Sequence, residues 1–306
     1  MKGSLRRQLA RTAAVSPDGV TSRERLRALG LTYIDVRTEV AAGRWKCHGL
    51  QTVALHCGPI GVEATRWQAL WETGADVAAL DGVTALQVAG LRNFDDDRVH
   101  VSVVHTARVK AAPGVALHKV IRRLPSELVG SGIPRTRPAV AAVRSAAWAA
   151  SDRQAALLLL MTAQQRLATP FQMLEVATAM PGRSRRGFIK RVLRDSADGV
   201  QSLGELDFAA MCRRRGLPEP SRQVVRRGPR GRIYLDVRWP EARLVVEIDG
   251  AQHREGLNAT ADNLSRNAVT LTSDRVLRID LIGLRLYEDE FMAQVGLGLS
   301  GQLRSR

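Results

Sequence analysis

Cysteine is scarce in this chain, and the little there is has no pattern. The three, Cys47, Cys57 and Cys212, leave one unpaired and lack the spacing of a disulfide framework, which argues against a secreted scaffold and for a reducing compartment. Long apolar runs are also missing. The longest, "AALLLLM" (Ala155–Met161), falls far short of the roughly 20 residues that a membrane span needs. Lys2, Arg6 and Arg7 have no apolar stretch behind them, so no signal peptide is expected. A cytoplasmic protein with no membrane partner follows. Aromatic residues are only 4% of the chain, which leaves few platforms for stacking single-stranded bases and disfavours an RNA-binding module.

Acidic residues are outnumbered, 30 against 46 basic ones, for a net charge of +16. Only five of the basic residues are lysine. Arginine presents a fixed fork of donors that suits phosphates and guanine edges, so nucleic acid is the first partner to consider. A compositional preference for Arg and Ala would give the same excess. Apolar content of 45% and charged content of 25% are ordinary for a globular protein, and 306 residues suggest two or three domains.

Residues 1–58 read as three helices and a hairpin. "SLRRQLARTAA" is a first helix. "VTSRERLRALG" is a second, with Thr21 and Glu24 as a capping box and Gly30 as its stop. "LTYIDVRTEVAAG" is a third, opened by Thr32 and closed by Gly43, and "RWKCHGLQTVALH" gives two short strands around Gly49. Two short helices joined by a tight glycine turn and followed by a hairpin suggest a winged helix-turn-helix. The segment holds ten basic against four acidic residues. The second helix of such a pair enters the major groove, so Thr32, Tyr33, Asp35, Arg37 and Thr38 are candidate DNA contacts. A helical bundle with a solvated basic face is the alternative.

Residues 59–199 form a mixed, then helical, connector. "WQALWETGADVAALDGVTALQVAGL" reads as short helices with glycine breaks, and "RVHVSVVH" and "VALHKVIRR" alternate as strands. From Ala139 to about Ser196 the pattern is helical and carries no chemistry. His100 and His105 flank an apolar strand as sheet-end residues. The two cysteines and two histidines of "CHGLQTVALHC" lack zinc spacing, since adjacent residues of a strand point to opposite faces.

Residues 200–306 read as α-β-β-β-α-β-α, a small mixed sheet with helices on its faces, so the chain as a whole is α/β in the α+β sense. "SLGELDFAAMCRRRG" is a helix with Ser202 and Glu205 as a capping box and Gly216 at its end. In "LVVEIDG", alternation puts Glu247 and Asp249 on one face and Leu244, Val246 and Ile248 on the other. If "YLDVRW" pairs with it as a hairpin, Asp236 joins the two acids. Three carboxylates so placed repel one another and resist desolvation, and a hard divalent cation answers both. Gln252 and His253 follow at once and could orient an attacking water, with Glu205 as a further acid. Pairing of the acids with Arg238, Arg243 or Arg254 on a solvated hairpin is the alternative. "RRGPRGR", holding Arg226, Arg227 and Arg230, could grip backbone phosphates as a hairpin tip, with a solvated loop as the alternative.

The pattern "SLGE…GLPEPSRQVV…YLDVRWPEARLVVEIDGAQH…DNLSRNAV…RVLRI" resembles the Vsr-like group of PD-(D/E)XK nuclease domains, over about residues 200–295. The resemblance implies a restriction-endonuclease-like sheet. It makes Asp236 the first catalytic acid and a metal ligand, and Glu247 and Asp249 the acidic pair. It also turns the Ile248 carbonyl toward a bound Mg²⁺ or Mn²⁺. Arg266 falls in the late Arg-Asn helix. Many nucleases of the superfamily have lysine where this chain has Asp249, so that role would pass to His253, Gln252 or metal-bound water. Residues 1–58 are similar to the winged-helix domain of AbiEi-type antitoxins, with "GRW" (Gly43–Trp45) opening the wing and Arg44 beside DNA. The two resemblances imply a DNA-binding, metal-dependent endonuclease acting on double-stranded DNA. The alternative they allow is a non-catalytic antitoxin-like regulator with a degenerate nuclease fold and a toxin or other protein partner.

Overall fold

The computed structural model describes residues 3–16, 18–180, 185–197, 206–227, 233–249, 267 and 276–300. It is an α+β protein that divides into two compact units, residues 1–141 and 142–306.

The first unit opens with α1 (Gly3–Thr12), β1 (Val20–Ser22), α2 (Arg23–Ala28), α3 (Tyr33–Ala41), β2 (Lys46–Cys47) and β3 (Thr52–Ala54). The strands pair antiparallel in the order β1-β3-β2. This is the winged helix-turn-helix arrangement, with β1 as a third strand that the alternation did not reveal. Thr21 therefore is not a helix cap. It pairs with Val53, and its buried hydroxyl donates to the Ala13 carbonyl at 2.9 Å. Ser22 caps α2 instead, accepting from the Arg25 N–H. Gly30, at φ +77°, makes the turn into α3. Ala10, Leu26, Leu31, Val36, Trp45 and Val53 form the core between helices and sheet. On the sheet's other side, Val20 and Ala54 pack on Ala64 and Trp71 of α4 (Val62–Gly74).

The rest of this unit is a sheet of β4 (Ala79–Leu80), β5 (Val99–Val104) and β6 (Val115–Val120), with α5 (Gly82–Val88) against β5. β5 and β6 run parallel. His105 follows the end of β5, but His100 lies within it, buried, with its Nδ1 3.0 Å from Nε2 of His118.

The division between the units falls inside α6 (Pro138–Trp148), after which come α7 (Asp152–Gln164), α8 (Pro170–Ala179) and α9 (Arg186–Ala197). The second unit continues with α10 (Phe208–Arg214), β7 (Arg222–Arg227), β8 (Ile233–Trp239), β9 (Leu244–Asp249), β10 (Val276–Asp280), α11 (Leu281–Leu286) and α12 (Glu288–Ser300). α10 is capped by Asp207, which accepts from the Ala210 N–H; the expected capping pair Ser202 and Glu205 lies outside the described residues. The sheet order is β10-β9-β8-β7, with β10 parallel to β9 and the other pairs antiparallel. Leu235, Val237, Trp239, Leu244, Val246, Ile248, Leu277 and Ile279 line one face, buried against Phe208, Met211 and Cys212 of α10 and Phe291 and Val295 of α12. Each such side chain contributes roughly 1.5–3 kcal/mol by leaving water. Among the described residues, no helix is long and apolar enough to cross a membrane.

Candidate nucleic-acid interface and acidic sheet face

α3 has two unlike sides because 3.6 residues complete a turn. Val36 and Glu39 are buried, while Thr32, Tyr33, Ile34, Arg37 and Thr38 are exposed. Tyr33 is 68% exposed and Ile34 73%. Thr32 is bound into the helix start. Its hydroxyl donates to Asp35 Oδ2 at 2.7 Å, and the Asp35 carboxylate also accepts the Thr32 N–H at 2.8 Å. Those bonds, and then the Arg6 guanidinium, hold the Asp35 carboxyl far below the usual carboxylate range.

Glu39 on the inner side is 0% exposed. Such a carboxylate needs partners, and it has Arg6 Nη2 at 2.6 Å, Arg44 Nε at 2.5 Å and Arg7 Nη1 at 3.7 Å. Burial pushes its pKa up, but hydrogen bonds from Arg44 and Arg6 outweigh burial and hold it below the ordinary value. Arg44, expected at DNA, is thus joined to Glu39, with 44% of its side chain exposed.

The wing is fixed by a residue that no local pattern pointed to. Glu72 of α4 accepts the N–H groups of Leu50, Gln51 and Thr52 at 2.9, 2.8 and 2.9 Å, and the Thr52 hydroxyl at 2.7 Å. Gln68, one turn earlier, donates to the His48 carbonyl. Arg23 completes the arrangement. Its Nε donates to the Leu50 carbonyl at 2.8 Å, an Nη lies 3.2 Å from Cys47 Sγ, and its guanidinium stands 5.7 Å from the Tyr33 ring centre. Leu50, held at both its N–H and its carbonyl, still exposes 81% of its surface. The Cys57 thiol donates to the Gly43 carbonyl.

In the second unit, β8 and β9 pair with Asp236 directly opposite Glu247, and with Tyr234 opposite Asp249. Glu247 and Asp249 share a face by alternation, so the register brings the three acids to one side of the sheet. Ile248 is fully buried on the opposite face, in the core. Asp236 is itself buried and lies 3.6 Å from an Nη of Arg238, two residues along the same strand. Arg278 of β10 is in register with Glu247, and its Nε lies 2.8 Å from Glu247 Oε2. Asn267, 1% exposed, holds the backbone of Arg278 with both ends of its amide: Nδ2 donates to the Arg278 carbonyl at 2.7 Å and Oδ1 accepts its N–H at 2.7 Å. Those bonds satisfy the backbone groups of Arg278 on β10. Among the described residues no group of three His, Cys, Asp or Glu side chains is placed to hold a metal ion.

Glu205, Gln252, His253, Arg230 and Arg266 lie outside the described residues. Arg226 and Arg227 sit on β7, opposite Tyr234 and Ile233, with their side chains outside the description. Glu72, Arg23 and Arg278 were not singled out from the sequence. Strand alternation would have put Arg278 on the acidic face once β10 was known to run parallel to β9.

No protein-family model matches the sequence, and no curated protein matches it either. Among solved structures, the chain is similar to the crystal structure of the RV2827C protein from Mycobacterium tuberculosis, at 15% identity, covering 62% of this chain and 75% of that one, with a TM-score of 0.42.

Proposed function

We propose that the protein binds double-stranded DNA through α2, α3 and the β2–β3 wing, and that its acidic sheet face hydrolyses phosphodiester bonds with a divalent cation. The observation that carries the hydrolytic reading is the register of Asp236 opposite Glu247, with Asp249 on the same face. Carboxylate oxygens are the donor set that Mg²⁺ or Mn²⁺ prefers, and Asp236, Glu247 and Asp249 would hold such an ion. When bound, it activates water and offsets charge developing on the phosphate. The chain's own share is to keep the acids on one side of a sheet whose other face is solid core. Gln252, His253 and Glu205 remain the proposed supporting residues, and the resemblances to a Vsr-like nuclease domain and an AbiEi-type winged helix belong to the same proposal. Unpaired cysteines and the missing apolar spans fit a reducing, cytoplasmic setting.

A second reading, an antitoxin-like DNA-binding regulator that works through a protein partner, is favoured by a specific observation. Arg278 and Arg238 already answer two of the acids. One experiment separates the readings. The purified chain is incubated with nicked, mismatched, supercoiled and single-stranded DNA in Mg²⁺ or Mn²⁺. Cleavage that Asp236→Ala abolishes supports the nuclease. Duplex binding without cleavage of any substrate supports the regulator.

A further inference from the structure

We propose that Ile34, on the exposed side of α3 in the helix pair, reads the C5-methyl group of thymine in the major groove. This rests on the duplex-DNA reading above and extends it to the bases recognised.

The core does not use the side chains of Ile34 and its neighbour Tyr33. The core of this region closes over Ala10, Leu26, Leu31, Val36, Trp45 and Val53, while Ile34 and Tyr33 remain 73% and 68% exposed on the first turn of α3. An isoleucine left standing in water contributes no burial to the monomer. Their backbone is nevertheless held firmly. The Thr32–Asp35 box closes the helix start, Arg6 holds Asp35 at 2.8 Å, and Arg23 spans from the Tyr33 ring to the Leu50 carbonyl. A rigid, solvated apolar pair is the form expected of a contact surface rather than of a loose loop.

The surroundings select the partner. Arg25, Arg27, Arg37 and Lys46 are all exposed around α2, α3 and the wing, a setting that favours a polyanion over an apolar protein surface. The exposed side of α3 then limits what can be read. It offers Thr32, Tyr33, Ile34, Arg37, Thr38 and Ala41, with no Asn or Gln to pair with an adenine edge. Arg37 suits guanine, but Ile34 can meet only an apolar feature, and the thymine methyl is the apolar feature that the major groove presents.

The test uses the full chain and a duplex enriched by binding from a random-sequence pool, at fixed salt. Each thymine is replaced in turn by deoxyuridine, which removes the methyl and nothing else. At contacted positions the wild type should lose about four-fold in affinity per methyl, the ratio that burying one such group corresponds to. Ile34→Ala should bind the thymine and deoxyuridine duplexes alike, while Arg37→Ala should weaken both and keep the wild-type ratio. Both side chains are exposed, so a circular dichroism spectrum identical to wild type is expected of each variant. A wild type indifferent to deoxyuridine at every position would leave the apolar pair to another partner and overturn the inference, as would an Ile34→Ala protein that still discriminates. Failure of the wild type to bind any duplex would overturn the DNA-binding reading itself.

Discussion

Arg278 and Glu247 stand level with each other on the parallel strands β10 and β9, with 2.8 Å between Nε and Oε2. The arginine pairs with an acid that faces Asp236 across β8 and β9. Its backbone is clamped by the buried Asn267 amide, so the register that brings the pair together is itself secured. A guanidinium there holds charge that a divalent ion would otherwise balance, and the two compete for one carboxylate.

Replacing Arg278 with Met keeps the length of the side chain and removes the charge. If the acidic face takes a metal, Arg278→Met should bind Mn²⁺ more tightly than wild type, and Glu247→Gln should bind it more weakly. Isothermal titration of both variants checks this. Unchanged Mn²⁺ affinity in Arg278→Met would show that the ion pair does not contest the site.

Glu39 ties α3 to Arg6 of α1 and to Arg44 before the wing. Removing one partner of a buried ion pair costs about 3–5 kcal/mol, and because Arg6 keeps Asp35 at 2.8 Å the loss here belongs at the lower end of that range. Glu39→Ala should therefore lower the stability of the first unit by that order in urea denaturation. Arg44→Ala should cost much less, because that side chain is 44% exposed and Arg6 remains. Equal effects of the two would mean that Glu39 is held by Arg44 rather than by Arg6.

Much of this architecture was legible in the sequence, and the parts that were not share a cause. α3 could be read from Thr32 to Gly43 because its signals are local: a capping box, a 3.6-residue period and a glycine stop. The pairing of Asp236 with Glu247 followed from strand alternation and one short turn. β1 and β4 escaped notice because they hold three and two residues, too few for any period to show, whereas the equally short β2 and β3 were read together from the hairpin around Gly49. Glu72 and Arg278 escaped for another reason. Each meets its partner through tertiary packing, 20 residues from Thr52 in one case and 31 from Glu247 in the other. Isolated acids and arginines of that kind look like solvated surface until the neighbouring element is in place.

The Glu72 carboxylate explains a glycine in the wing. Gly49 has φ +158°, and a Cβ placed there would lie 2.5 Å from Glu72 Cδ. Gly49→Ala must push the carboxylate away from the three N–H groups it accepts. Both Gly49→Ala and Glu72→Ala should speed hydrogen exchange at the amides of Leu50, Gln51 and Thr52, with a stability loss of about 2 kcal/mol from the charged hydrogen bonds. Slow exchange at those amides in Glu72→Ala would show that the hairpin holds the wing without α4.

The first unit should also weaken in mild acid, through His118. Its Nε2 lies 3.0 Å from Nδ1 of His100, whose Nε2 lies 3.1 Å from Asp96 Oδ2. Burial, then the neighbouring His100, pushes His118 down from 6.5 to about 4. Between those values the unfolded chain binds a proton that the folded one refuses, so the linkage favours unfolding as pH falls. The stability that neutral His118 permits is fully present above about pH 6.5 and declines until about pH 4. A melting-temperature profile should fall across that window, and His118→Gln should flatten part of the fall. The imidazole itself should remain neutral at pH 5 in an NMR titration. An imidazole that takes up its proton near its ordinary value would remove the cause and the prediction together.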